Sequence, residues 1–511
     1  MTATSENNKR IVKNTIILYF RMFLIMAVTL YTSRIVLKML GVDDYGIYTV
    51  IGGVVTIMGV LNGAMAAAVQ RYLTFELGKG DSVRLTQTFS MCMTIFLIFA
   101  ILLLVLAETI GLWFVNKQLV IPENRIVAAN WVYQFSILAA IATLLYTPYN
   151  AIIIAHEKMS VFAYVSILEG ILRLIVAGSL IIFPYDRLIA YGGLLLLTAI
   201  VITGIYIVYC VKNYEECRYH FYWEKGLFNQ LLSYSAWNMF ASVAYVVKGQ
   251  GLNILLNQFF SPVINASHGI ASQVNSAATQ FFTNFYTAVR PQITKYYAQG
   301  NLKEMFGLVF RSSKLSFYLV WIISLPILIE TPYIIHLWLG QTPDYVIPFT
   351  RIIIVISTIE AMATPLMTTA QATGHIKLYQ LLVGTLTLLI VPISYVFLRY
   401  LSFPPTIVLW VSLLISVINL FIRLWIVHRL VNFPVWLYIK KIFITASLIA
   451  ILSLILPIYS IYNTESTFIN FCLNCVICIL SSLSFIYILG LTQYERKVII
   501  TTIKGKLTKR H

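Results

Sequence analysis

The stretch NASHGIASQVNSAATQFFTNFYTAVR, Asn265 to Arg290, decides how the rest of the chain is read. Its length suits one membrane crossing, because about 20 helical residues rising about 1.5 Å each cover a hydrocarbon core of about 30 Å. Its composition does not suit lipid. Asn265, His268, Ser272, Asn275, Ser276, Thr279, Thr283 and Thr287 recur at steps of three and four and share one helix face, while Ile270, Val274, Phe281, Phe285 and Val289 take the other. Such a stripe is tolerated at membrane depth where it lines a water-filled cavity; helix packing through small polar residues is the alternative. It persists through most of the span and ends in Arg290, which favours a cavity lined by His268, Ser272, Asn275, Thr279 and Thr283.

Composition agrees with a membrane setting. The chain has 511 residues, 59% of them hydrophobic and 11% charged, with a mean hydropathy of +0.83, values outside those of soluble globular proteins. The formal charge of +17 would suggest nucleic acid in a soluble protein, but the basic residues sit in short segments between apolar runs. About 14 such runs can be traced, from 15–37 to 467–489, with the polar stretch as the eighth. The tails and alternate loops collect cations such as Lys9, Arg10, Lys13, Lys79, Arg84, Lys158, Lys212, Lys295, Lys440 and Arg496, whereas the other loops hold few, including Lys38, Lys117, Arg125, Arg187 and Arg399. By the positive-inside rule both termini are expected in the cytoplasm, and the number of spans is even. No nucleic-acid partner is expected; the bilayer is.

The chain also repeats itself. FELGKGDSVRLTQTF from Phe75 pairs with KYYAQGNLKEMFGLVF from Lys295, matching Gly80 to Gly300, and TPYNAIIIAHEKMSVFAY from Thr147 pairs with TPLMTTAQATGHIKLYQ from Thr364. Six spans separate the copies, so each enters the membrane in the same direction. The expected fold is all-α, with two parallel six-helix lobes around a central cavity and two further helices. The lobes are 1–225 (spans 1 to 6) and 226–430 (spans 7 to 12), followed by 431–511 (spans 13 and 14 and a basic tail). Span 2, the partner of the polar span 8, carries its own small and polar stripe, including Thr56 and Gln70, which either lines the cavity or packs closely on a neighbour.

Ionisable residues inside spans are functional candidates because burying them is costly. They are Arg21 and Arg34 in span 1, Glu169 and Arg173 in span 5, Lys248 in span 7, Glu360 in span 10, and Arg290 at the end of span 8. Arg34 lies near the outer end, where snorkelling also accounts for it. Glu169 and Arg173, four apart, share a face and can neutralise each other, with a gating role behind that. Glu360 could be a protonatable coupling residue, or an isolated carboxylate that stays neutral. Cations predominate, and an arginine fork suits phosphate, so Arg21, Lys248, Arg290, Arg34 and Arg173 form the candidate substrate-binding set.

The absences point away from catalysis. No G-x-x-x-x-G-K-[ST] phosphate loop is present, His156 and Glu157 lack the second histidine of H-E-x-x-H, and no G-x-S-x-G elbow occurs. No catalytic residue, metal or cofactor is expected. Cys472, Cys475 and Cys478 read as packing residues, without the His, Asp or Glu that a metal site would need.

Four segments carry a family resemblance: SRIVLKMLGVDDYGIYTVIGGVV from Ser33, QRYLTFELGKGD from Gln70, AHEKMSVFAYVSILEGILRL from Ala155 and VRPQITKYYAQGNLKEM from Val289. Together they resemble the polysaccharide transporter (O-antigen flippase) family of the multidrug/oligosaccharidyl-lipid/polysaccharide (MOP) superfamily, over most of the first 12 helices. The resemblance implies two six-helix lobes with helices 1, 2, 7 and 8 lining the cavity. It further implies a bacterial inner-membrane protein that moves a polyprenyl-diphosphate-linked oligosaccharide to the outer leaflet by alternating access, serving polysaccharide polymerase and glycosyltransferase partners. Lipid-linked peptidoglycan precursor flippases and ion-coupled multidrug exporters of the same superfamily are the alternatives. The exporters' acidic sites in the first lobe have no counterpart inside the first two spans. A polymerase or ligase would need a longer outer loop.

Overall fold

In the computed structural model the described residues are 3–117, 121–182, 186–260, 262–340, 342–462, 467–493 and 495–496; within helices, the side chains at 3–9, 30, 33, 37, 42–43, 49–50, 53–61 and 262 are not described. Those residues form helices and no strand. The first two spans are one helix, Ala3–Lys79, broken at Gly41 (φ 80°, ψ 172°); its arms are α1 (3–40) and α2 (42–79). Then follow α3 (Ser82–Lys117), α4 (Ile126–Ala155), α5 (Met159–Ser179), α6 (Arg187–Asn213), α7 (Lys225–Phe259), α8 (Pro262–Ala298), α9 (Leu302–Leu339), α10 (Val346–Thr373), α11 (Lys377–Leu401), α12 (Ile407–Val431), α13 (Val435–Tyr462) and α14 (Phe468–Gly490).

Twelve helices are long and apolar enough to cross a membrane among the described residues, and α8 is not one of them. Its polar stripe is the reason. The 37 residues of α8 span about 55 Å, past both ends of the stretch Asn265 to Arg290 read from the sequence. Charge ends an apolar run but does not end a helix, and the chain stays helical through Pro291 and Lys295.

The chain divides into two compact units, residues 1–242 with 287–301, and 243–286 with 302–511. Both α7 and α8 therefore contribute to each unit. In the first, Leu18, Ile154, Met159 and Ala288 make one apolar cluster, and Val36, Val176, Ala177, Leu180 and Tyr191 another. At the far ends of these helices Arg125 binds Asp44 and, at 2.6 Å, Asp186, whose other oxygen caps α6 through the Leu188 and Ile189 amides. In the second unit a larger core joins α7, α8, α10, α11 and α12 around Leu256, Ala271, Phe349, Ile390 and Val408. There α13 and α14 dock on α9, with Trp321 Nε1 donating to Ser453 Oγ (2.9 Å) and Asn474 Nδ2 to Glu330 Oε1 (2.7 Å).

The repeat is legible in the backbone. Gly80 (φ 78°) and Gly300 (φ 70°) both take the left-handed conformation, and so do Glu157 (φ 60°) and Gly374 (φ 81°), at the two sequence offsets that align the copies. Glu157 closes α4 by a Schellman turn, its amide bonding Ile154 O (2.9 Å) and that of Lys158 bonding Ile153 O (3.0 Å). The π-type turn at Ala107–Gly111 and the kink of α9 at Glu330 fall on a third match, AET at Ala107 and IET at Ile329.

Candidate transport site

The sequence-derived candidates fall into both units. In the first, α5 presents Glu169 and Arg173 one turn apart, and Arg173 Nη2 and Nε both donate to Glu169 Oε1, at 2.7 and 3.2 Å. The pair lines a cavity of about 670 Å³ walled mainly by α2, α4, α5 and α6. Arg21, half-buried on α1, feels the charge of Glu169 and places its guanidinium 4.4 Å from the Phe162 ring, with Nε buried and no hydrogen-bond partner for it among the described residues. Arg34 is exposed and Gln70 half-buried; the Thr56 side chain lies outside the described residues. Arg290 is half-buried on the end of α8 that belongs to this unit, close enough to Tyr234 to act on it electrostatically.

In the second unit Glu360 of α10 is not isolated. Arg423 Nη1 donates to its Oε2 at 2.7 Å and Ser416 Oγ to its Oε1 at 2.7 Å, both from α12. The Arg423 side chain is 4% exposed and that of Glu360 28%. Lys248 of α7, half-buried, acts on this pair electrostatically. Arg423 escapes a reading that picks ionisable residues span by span, although it sits well inside an apolar run and meets the same criterion.

The α8 stripe is partly self-satisfied. Ser276 Oγ, Thr279 Oγ1 and Thr283 Oγ1 each donate to the carbonyl four residues earlier, at 2.9 Å in all three cases. Ser272 and Asn275 are half-buried, and Asn275 Oδ1 is buried with no hydrogen-bond partner among the described residues. His268 is buried, with Nδ1 2.8 Å from Asn253 Oδ1 and its ring edge-on to Phe349. None of these stripe residues lines the first-unit cavity.

A third charged group was not foreseen in this role. Glu157, dismissed above as half of an incomplete metal motif, has a fully buried side chain 2.7 Å from Arg10 Nε and 2.6 Å from Lys295 Nζ. Gln292 Nε2 also donates to it (2.5 Å), and Asn14 Nδ2 donates to its carbonyl (3.2 Å). It thereby ties α1 and the end of α8 to the α4–α5 turn. Among the described residues no group of His, Cys, Asp and Glu could hold a metal ion.

This arrangement of helices has counterparts among solved structures. A MATE transporter in complex with MaD3S aligns with TM-score 0.70 and 14% identity, over 83% of this chain and 97% of its own. The chain has the MATE fold. An outward-facing multidrug resistance MATE family transporter of the MOP superfamily aligns at 0.71 and 13%, over 84% and 97%. A MOP superfamily transporter from Pyrococcus furiosus Vc1, described as having a binding pocket of reverse polarity that suggests a different function, aligns at 0.68 and 12%, over 83% and 96%. No family model and no curated protein matches the chain.

Proposed function

We propose that this chain is a transporter of the bacterial inner membrane, with both termini cytoplasmic. It flips a polyprenyl-diphosphate-linked oligosaccharide, an O-antigen, capsule or exopolysaccharide unit, by alternating access. The observation that carries this reading is the charge balance of the two clusters inside the spans. Each carboxylate already has an arginine, Glu169 with Arg173 and Glu360 with Arg423, and each cluster has a cation to spare, Arg21 in the first unit and Lys248 in the second. A carrier of organic cations needs carboxylates free to bind them, whereas surplus cations suit a diphosphate. The Pyrococcus furiosus relative supports the idea that one fold serves pockets of opposite polarity. Arg21, Lys248 and Arg290 hold the diphosphate at successive stages, and Glu169 and Glu360 gate the cycle by exchanging their arginine partners.

The test is reconstitution in liposomes with a fluorescent polyprenyl diphosphate glycan, whose arrival in the other leaflet is read by a membrane-impermeant quencher. Flipping should depend on the protein and fall at least about tenfold in Arg21→Gln and Lys248→Gln. A protein that flips no such lipid yet expels ethidium from the same vesicles would instead be the ion-coupled multidrug exporter, the second reading, which the fold also fits.

A further inference from the structure

The cavity inside the first unit is built differently from a diphosphate site. Its volume of about 670 Å³ lies in the range of about 300–1,000 Å³ that takes a drug-sized ligand. Its wall carries one ion pair, three tyrosines (Tyr45, Tyr48, Tyr146), and the hydroxyl and amide groups of Thr143 and Asn62. The ion pair is neutral as a unit, so it does not select a charged ligand. Both of its hydrogen bonds use Glu169 Oε1, through Arg173 Nε and Nη2. Arg173 Nη1 and Glu169 Oε2 therefore have no partner among the described residues, which leaves one donor and one acceptor open. The Arg173 side chain is 58% exposed although its helix is part of the bundle.

The aromatic part is fixed in place. Tyr146 stacks on Tyr206 with centroids 4.8 Å apart, and Tyr48 meets Tyr191 edge-on at 4.9 Å. Rigid tyrosines supply large contact area at low entropic cost, and the apolar faces of a pyranose ring fit against such rings while its hydroxyls, each a donor and an acceptor, suit the open ends of the pair. An acyl chain would leave the open ends of the pair without partners, at a desolvation cost.

The second lobe supplies a control. At the repeat offset that aligns Thr147 with Thr364, Glu169 and Arg173 fall on Leu386 and Ile390. There Ile390 is 2% exposed within the apolar core and Leu386 packs on it. The polar, open version belongs to the first lobe and is not an unavoidable product of the duplicated architecture.

We propose that the cavity of the first lobe is a glycan subsite, which takes uncharged sugar rings of the substrate through Tyr48, Tyr146, Glu169 and Arg173. This rests on the flippase reading and seats the sugar on the neutral pair, beside Arg21, the cation of this unit assigned to the diphosphate.

The test measures binding by the full chain in lipid nanodiscs to two fluorescent probes, polyprenyl diphosphate bearing a chitobiose disaccharide and the same lipid diphosphate without sugar. The unmodified chain should bind the sugar-bearing lipid at least about tenfold more tightly. Glu169→Leu/Arg173→Leu, which removes both charges together and leaves neither unpaired, should bring that ratio to about one. Thr143→Trp, which fills the cavity, should do the same, and decides the matter alone if the double variant fails to fold. Retention of the ratio in a folded variant overturns the subsite. Equal binding of the two lipids by the unmodified chain also overturns it, while flipping of either lipid in liposomes keeps the transport reading alive. Binding of tetraphenylphosphonium but of neither lipid removes both.

Discussion

The turn after α4 and the turn after α10 occupy equivalent places in the two copies of the repeat, and both demand a left-handed residue. The second copy uses Gly374 and the first uses Glu157. An L-residue with a side chain is about 1–2 kcal/mol less comfortable there than glycine. What offsets the strain is the carboxylate, itself closed to solvent, which meets Arg10, Lys295 and Gln292. The copies thus share a backbone and differ in what they attach to it: the first anchors two distant helix ends, the second only reverses the chain.

Substitutions at Glu157 should have the largest effect. Glu157→Ala removes the carboxylate that pairs with the largely buried Lys295, and a loss of about 3 kcal/mol is expected, at the low end for a broken buried pair because the Arg10 side chain is 45% exposed. Glu157→Gly should be milder by about 1 kcal/mol, since it also removes the left-handed strain. Chemical unfolding of the purified protein in detergent micelles measures both, and equal losses would mean that no strain is held at this turn.

The α9 kink offers a second contrast. Glu330 is buried at 6% exposure and accepts from Asn474, so Glu330→Ala, which removes that acceptor, should cost about 2 kcal/mol. Its repeat-mate Glu108 is exposed and bonded only to Gln134 among the described residues, and Glu108→Ala should stay within about 0.5 kcal/mol. A similar loss at both sites would show that α13 and α14 contribute nothing to the difference.

Where the copies agree, the expected effects agree. A Cβ at Gly80 or Gly300 meets no atom within 4 Å, so alanine at either should cost the same, about 1 kcal/mol, from handedness alone. Unequal losses would break the equivalence of the two turns.

The smallest effect concerns acid. Arg84 and Tyr222 hold the Glu224 carboxyl at about 2. Because the folded value lies below the unfolded one, the contribution is present above about pH 4.5 and is lost as pH falls towards 2. The thermal midpoint of the unmodified protein should drop slightly more over that window than the midpoint of Glu224→Gln.

Much of the fold was open to reading because membrane helices declare themselves through apolar length, alternate loops through lysine and arginine, and the duplication through short matches that land on left-handed turns. Helix ends were not, since a charged residue such as Lys295 continues a helix beyond the bilayer. Among site residues, the rule that buried ionisable groups are costly led to Glu169, Arg173, Lys248 and Glu360. It could not pair Glu360 with Arg423, because the partner stands on a helix 63 residues away. Glu157 was hidden for the opposite reason: it lies in a turn, where a carboxylate looks solvated, and only the packed neighbours reveal that it is enclosed. The first-lobe cavity depends on helix rotation, which spacing along one helix does not fix.

At Gly41 the chain reverses from the first crossing to the second with φ 80° and ψ 172°, and an added Cβ would meet no atom within 4 Å. Space is not what restricts this joint; chirality is. Its mirror image is an ordinary extended conformation for an L-residue, so a chain assembled by chemical ligation should accept D-alanine at position 41 and fold, whereas the L-enantiomer, with the same atoms and the same volume, should not fit.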